Sequence, residues 1–445
     1  MNREPFPARI ALSLAALVVV GGILSAGPLN PPPGAVTSTY KTLTEVEPRI
    51  AVNAANTPGD NDATPSLFKI SQPGSYYLTA NITGLAGKHG IEIAASGVTL
   101  DLNGFDLIGV GGSLDGIAMS VVNLHTVAVV NGSIRAWQGD GLDFSSTGGL
   151  SCRLADLRVQ GNTGNGLSVG IGSAVTDCVA FSNANNGIST GTGSTITHCS
   201  AWGNANAGIN MGLGCTITGC NTYSNTLAGI NTAGGATITG CTVRGGNMGI
   251  SAGHGSTVTA CTATLTNGNG ISVGDGCTVT GCTAASNAGH GIYTGGSSGS
   301  TIDHCTANSN SGIGINVFQG CSVIDCTVRS NTLDGIRCVT DCIIRGNACF
   351  LNGLNAGDGA GIHATLGNNR IEGNNCTETD RGIDIDSAGN VIVRNVCSNN
   401  TTNWSIVAGN SVAPIVITTT NAAAINGNSY AGNLGTADPH ANLTH

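Results

Sequence analysis

The chain has 445 residues, with 16 Lys+Arg against 25 Asp+Glu for a formal net charge of −9, and 69 glycines. Charged residues make up 9% and aromatic residues 4%, against roughly 25% charged in an ordinary soluble domain. Several conventional cores of large side chains are therefore excluded, as is a disordered chain held open by its own charge. The acidic balance speaks against a nucleic-acid partner, because phosphate contacts need a basic face.

Arg3 and Arg9 precede an apolar run over 10–24, and Leu24-Ser25-Ala26 offers a small-residue cleavage site. A run of 15 residues falls short of the roughly 20 that cross a bilayer, and this order predicts a signal peptide over 1–26. The mature protein is then expected to be exported (secreted, periplasmic or at the cell surface) with no membrane span. Residues 27–65 read as a Pro-rich spacer and N-terminal segment, with a short helix expected over 41–50. From Ser66 to Gly84 the β-branched and aromatic residues flank a Pro73-Gly74 turn, which predicts strand, turn, strand.

From there on the chain repeats. Gly-Ile or Gly-Leu dipeptides recur at Gly90, Gly116, Gly141, Gly166, Gly187, Gly208, Gly229, Gly249, Gly270, Gly291, Gly314, Gly335, Gly361 and Gly382. Central units read N-x-G-I-x-x-G-x-G-[SC]-T-[IV]-T-x-C-T-[AV]-x-S-N, about 21 residues with three short β-rich stretches and no helical period. One unit cannot bury its own apolar side chains, so the units must stack. This predicts an all-β parallel coil of about 15 laps over residues 66–420, with 421–445 as a tail or cap. Ile188, Ile209, Ile230, Ile250, Ile271 and Ile292 would form one inner ladder. Ile196, Ile217, Ile238, Val258, Val279 and Ile302 would form another. Asn183, Asn204, Asn225, Asn287, Asn310 and Asn331 are expected to stack at the corner before the third strand, where Asn tolerates tight geometry.

On these residues the pattern resembles the right-handed parallel β-helix repeat of the pectin-lyase-like superfamily. Residues 97–109 (GVTLDLNGFDLIG) are also similar to the periplasmic β-helix domain linked to nitrous-oxide reductase maturation. The resemblance implies a right-handed parallel β-helix and says little about activity, since such repeats encode packing.

Seventeen cysteines include Cys178, Cys199, Cys220, Cys241, Cys261, Cys282, Cys305 and Cys326 in one slot of eight successive laps. A second slot holds Cys215, Cys277, Cys321 and Cys342. No paired zinc-type spacing exists, and small buried thiols stacked in the core account for them.

The charge distribution singles out one region. Residues 161–300 carry only Asp177, Arg244 and Asp275, whereas 321–394 carry seven Asp, two Glu and six Arg. With Ile pointing inwards in the first strand, its successor points out, giving an outer column Ser272, Tyr293, Asn316, Arg337, His363, Asp384. A neighbouring column reads Gly295, Phe318, Val339, Thr365, Asp386. Asp334, Asp380 and Arg381 fall at the adjoining corner, and residues 351–359 form an extra loop. An acid/base pair, a cation for a uronate carboxylate and aromatic faces for sugar rings suit polysaccharide chemistry. Arg337, His363, Asp384 and Asp386 are the catalytic candidates, and Tyr293, Asn316, Phe318 and Arg381 the substrate-binding ones. The resemblance implies a lyase or epimerase in which Asp334, Asp384 and Asp386 hold Ca2+ and Arg337 or His363 is the base. A hydrolase would have only Asp384 and Asp386 as a carboxylate pair. Gly289-His290-Gly291 matches part of the family's hydrolase signature, but its Asp-Asp pair is missing.

Two rivals remain. The charged laps also suit a non-catalytic structural solenoid, whose ends need charge against end-to-end stacking. Thr195, Thr197, Thr216, Thr218, Thr237, Thr239, Thr257, Thr259, Thr278 and Thr280 make outward Thr-x-Thr rows that resemble those of ice-binding proteins and that β-propensity alone also favours. The protein is expected to be a monomer.

Overall fold

The computed structural model describes residues 47–418, except 146, 147, 297 and 354–358, together with 424 and 435–445. Two compact units are distinguished, Met1–Pro48 and Arg49–His445. Of the first only residues 47–48 are described, so the expected signal peptide, the proline-rich stretch and most of the short helix lie outside the described residues. Where that helix was expected to end, Ile50–Ala51 is a strand.

The second unit is a parallel β-helix of sixteen laps, and no helix occurs among the described residues. The first strands of all laps, from Ser66–Ile70 to Thr402–Ile406, form one 16-stranded parallel sheet. Second and third strands build the other two walls, which join through Ala128–Arg135 and Arg153–Gln160. Each of these runs through the corner on a left-handed residue, Asn131 (φ 59°) or Asp156 (φ 55°). At strand spacings of ~4.8 Å the unit extends roughly 70 Å. Strand pairing reaches beyond 66–420 at both sides. Ile50 pairs with Tyr76, and Asn442–Thr444 returns beside Val396–Ser398 and Ile415–Ile417.

Both inner ladders form in register. Ile188, Ile209, Ile230, Ile250, Ile271 and Ile292 pair in sequence, and the ladder continues through Ile315, Ile336, Ile362 and Ile383 to Trp404. The second wall stacks Ile196, Ile217, Ile238, Val258, Val279 and Ile302. The third wall answers with small residues, Ala180, Ala201, Ala263, Ala284 and Ala307, all fully buried. Large side chains from two walls meet mostly small ones from the third, the complementarity that close packing of a core requires. Trp137 is sealed near the third lap, its indole N–H donating to the Leu107 carbonyl at 3.3 Å.

At the asparagine corner a side-chain acceptor takes the N–H of the lap before it. Asn204 Oδ1 accepts from Asn183 N at 3.1 Å and from Asn183 Nδ2 at 3.0 Å, and the pattern recurs from Asn287 to Asn310 to Asn331. This ladder follows the third strand (Val179–Phe181) and precedes the next first strand (Ile188–Thr190), one corner later than expected. A Cβ at Gly208 would sit 2.5 Å from Asn225 Nδ2, so glycine before the isoleucine makes room for the amides. All seventeen cysteines are buried thiols, and several of them serve the same rule. Cys199, Cys282 and Cys326 sulfurs accept from Cys178, Cys261 and Cys305 N–H at 3.4 Å. The next laps then replace thiol by amide, with Cys326 N donating to Asn347 Oδ1 at 2.9 Å.

Candidate functional site: the first-strand face

The isoleucine register fixes the outward column. Ser272, Tyr293, Asn316, Arg337, His363 and Asp384 are paired in that order. The same column runs back through Ser251, Asn231, Asn210, Ser189 and Ser168. Exposure along it is uneven. Arg337 is exposed, whereas Asn316, His363 and Asp384 retain 8%, 8% and 2% of their surface. Of the catalytic candidates, His363 and Asp384 are thus buried, while Arg337 is exposed and Asp386 half exposed.

Asp334 belongs to a corner ladder in which each lap accepts the next lap's N–H. Asp140 N donates to Asp115, Asn165 N to Asp140, Asn186 N to Asn165 and Ile313 N to His290 Nδ1. In the same way Ala360 N donates to Asp334 Oδ1 at 2.9 Å. The other Asp334 oxygen lies 3.1 Å from His363 Nδ1, while His363 Nε2 lies 2.8 Å from Asp386 Oδ2. Burial disfavours the charge on His363, but Asp334 and Asp386 outweigh it and raise the imidazole from 6.5 to about 9. With a carboxylate at each ring nitrogen, His363 is set up to donate both N–H groups as an imidazolium, an arrangement that disfavours the proton-abstracting role the family resemblance implied. Asp384 is held by Arg381, whose guanidinium lies 2.6 Å from Asp384 Oδ2.

These pairings bear on Ca2+. His363, Asp384 and Asp386 bring potential ligand atoms within 4.8 Å of one another, but Asp334 lies outside that group, occupied by Ala360 and His363. Two cationic side chains, His363 and Arg381, already neutralise the carboxylates, and Ca2+ prefers oxygen ligands. The residues present do not fit the expected Ca2+ set. The Asp384–Asp386 pair does not suit hydrolysis either, because Asp384 is buried and ion-paired while Asp386 is half exposed.

Three features remain available to a ligand. Arg337 has no hydrogen-bond or ion-pair partner among the described residues. Tyr293 and Phe318 meet edge to face at 5.8 Å, and His290 stacks on Tyr293 at 5.3 Å. Burial, and then the nearby Arg337 charge, lower the His290 pKa, so this ring is neutral. His290 was visible in the sequence only as the middle of Gly-His-Gly and not as part of the aromatic group. Asp380 lies half-buried at the corner beside Arg381. Of the expected overhanging loop, 354–358 lie outside the described residues, and Gly353 and Gly359 close its base in direct contact.

Elsewhere, the threonine rows stand in register on the second wall. An aromatic stack on the third wall escaped sequence reasoning, with Phe181 and Trp202 4.3 Å apart at 10° and Arg244 over Tyr223 at 5.6 Å. The signal was there: Phe181, Trp202, Tyr223 and Arg244 share one slot of four successive laps.

Residues 189–339 match a family model described as "Right handed beta helix region". No curated protein sequence matches the chain. Among solved structures it is similar to the A-module of the Azotobacter vinelandii mannuronan C-5 epimerase AlgE4, at 13% identity and TM-score 0.36 over 71% of this chain and 87% of that one. Pectate lyase Pel9A shares 13% identity at TM-score 0.34, over 57% of this chain and 68% of that one. A tailspike protein of E. coli bacteriophage HK620 shares 12% at TM-score 0.44, over 76% and 71%. Likeness at this level says nothing of activity, which must be argued from the side chains.

Proposed function

We propose that this chain, a right-handed parallel β-helix protein, binds an acidic polysaccharide along its first-strand face, with Arg337 receiving a ligand carboxylate. The observation that carries the reading is the exposed Arg337 guanidinium, unpaired among the described residues, in one column with Asn316 and Tyr293. A guanidinium can grip a carboxylate through two parallel hydrogen bonds. The Tyr293–Phe318 pair beside it offers apolar surface to a sugar ring. Asp334 and Asp386 share the His363 cation and Asp384 is paired with Arg381, so most of the cluster's negative charge is offset internally before an anionic chain arrives. Binding without turnover suits this geometry better than lyase or epimerase chemistry, since His363 is not a free base. The protein's place is outside the cytoplasm, secreted, periplasmic or at the cell surface.

A glycan array of uronic-acid polymers tests this. Arg337→Ala should weaken binding at least tenfold, and Tyr293→Ala several-fold. Undiminished binding by Arg337→Ala would refute the role of that face, and no binding by the parent protein would favour a purely structural solenoid. A second reading attaches to the ten in-register threonines of the second wall, for which thermal hysteresis is the measurement.

A further inference from the structure

A hollow opens on the same face, at laps that carry almost no charge. The corner slot before each first-strand glycine holds Asp115, Asp140, Asn165 and Asn186 in successive laps and then alanine in the next two, Ala207 and Ala228. Without a side chain beyond Cβ there, the wall recedes and leaves a cleft of about 170 Å³. Ala207 and Ala228 line it together with Asn186, Asn206, Asn210, Asn231, Leu227 and Met248.

The hydrogen-bonding inventory states what such a cleft would take. Asn231 Nδ2 donates to Asn210 Oδ1 at 2.8 Å, which leaves Asn210 Nδ2 as a donor and Asn231 Oδ1 as an acceptor with no partner among the described residues. Asn206 Nδ2 donates to Asn185 Oδ1 at 3.0 Å, leaving Asn206 Oδ1 as a second acceptor. Hydroxyl groups both donate and accept and so satisfy this mixture. Carboxylates and phosphates only accept, and the cleft gives them neither a cation nor an excess of donors. Leu227 and Met248 add apolar surface for the flat side of a ring. The volume is below the roughly 300–1,000 Å³ of pockets for drug-sized ligands and suits one ring.

We propose that this cleft binds a single uncharged, hydroxyl-rich sugar ring. Asn231 lies five lap steps from Arg337 along the outward column, about 24 Å at ~4.8 Å per step. A glycan following the face would be gripped at two points, one neutral and one anionic. Its composition would then be mixed, with uncharged residues as well as uronates. This rests on the reading that the face holds glycan, which the test keeps separate.

Methyl glycosides of glucose, galactose, mannose and rhamnose would be titrated against the full mature chain by saturation-transfer NMR, with galacturonate and mannuronate oligomers in parallel. At least one neutral glycoside should bind the parent protein. Asn210→Ala and Asn231→Ala should weaken it at least tenfold, and Ala207→Leu, which fills the hollow, should do the same. Thr237→Ala, on another wall, should leave it unchanged. Far-UV circular dichroism checks that each variant is folded, and the two exposed-side Asn variants keep the test decisive if Ala207→Leu is not. Binding of uronate oligomers with no neutral glycoside bound overturns the cleft and leaves the anionic reading intact. Neutral binding lost in the Asn variants, with no uronate bound, upholds the cleft and overturns the anionic reading. Neutral binding that survives both Asn variants overturns the assignment.

Discussion

His363 allows a quantitative test of the site's electrostatics. Its imidazole is raised from 6.5 to about 9 although burial opposes the charge, because Asp334 and Asp386 flank both ring nitrogens. At about 1.36 kcal/mol per pH unit, that rise corresponds to about 3 kcal/mol of native-state stabilisation at most. A histidine raised in the folded state stabilises fully below pH 6.5, and the contribution fades as pH climbs through 9. Replacing His363 by Gln keeps a hydrogen-bonding side chain and removes the proton. Urea unfolding of the parent chain should lose stability between pH 6.5 and 9, and His363→Gln should lose about 3 kcal/mol less over that range. Buried thiols also cost stability at alkaline pH, since burial pushes Cys152 to about 11 and Cys338 to about 12. That loss is common to both proteins and cancels in the difference. The direct measurement is an NMR titration of the nine histidines, with the variant assigning the resonance. A His363 signal titrating at or below 6.5, or parallel pH curves for the two proteins, would refute the doubly paired imidazolium.

Three further outcomes are expected. A thiol reagent should find no reactive cysteine in the native chain and seventeen after denaturation without reductant, and a count below seventeen would reveal disulfides in the ladders. Asn310→Ala removes the bonds to Asn331 Oδ1 and the Ala284 carbonyl and strands the Asn287 donors. At roughly 1–3 kcal/mol per unsatisfied buried group, the loss in urea should exceed about 2 kcal/mol, and a change under about 1 kcal/mol would contradict the ladder's role. Chelation with EDTA should leave uronan binding unchanged, and Ca2+-dependent binding that is lost in Asp384→Asn would show that a metal displaces His363 and Arg381 from the carboxylates.

The wall positions were legible because a parallel coil in register turns sequence periodicity directly into spatial stacking. One Gly-Ile alignment fixed the Ile188–Ile292 ladder and, one residue on, the column from Ser272 to Asp384. The corners were less legible. A 21-residue repeat does not say which bend an Asn occupies, so the Asn183 ladder was placed one corner early. Side-chain pairing was invisible as well. Asp334 and His363 are 29 residues apart, and only coordinates show that the histidine lies between two carboxylates. The hollow at Ala207 and Ala228 was hidden for a different reason, because small residues in a repeat read as packing until neighbouring laps are seen to carry larger ones.

The three tryptophans occupy laps three, six and sixteen, in unlike surroundings. Trp137 is sealed from water, Trp202 rests on Phe181 with 40% of its surface exposed, and Trp404 ends the isoleucine ladder. Their emission would therefore differ, and single-tryptophan versions could time the loosening of each part of the rod separately. In a stack whose units touch only their neighbours, such clocks would tell fraying from one end apart from collapse in a single step.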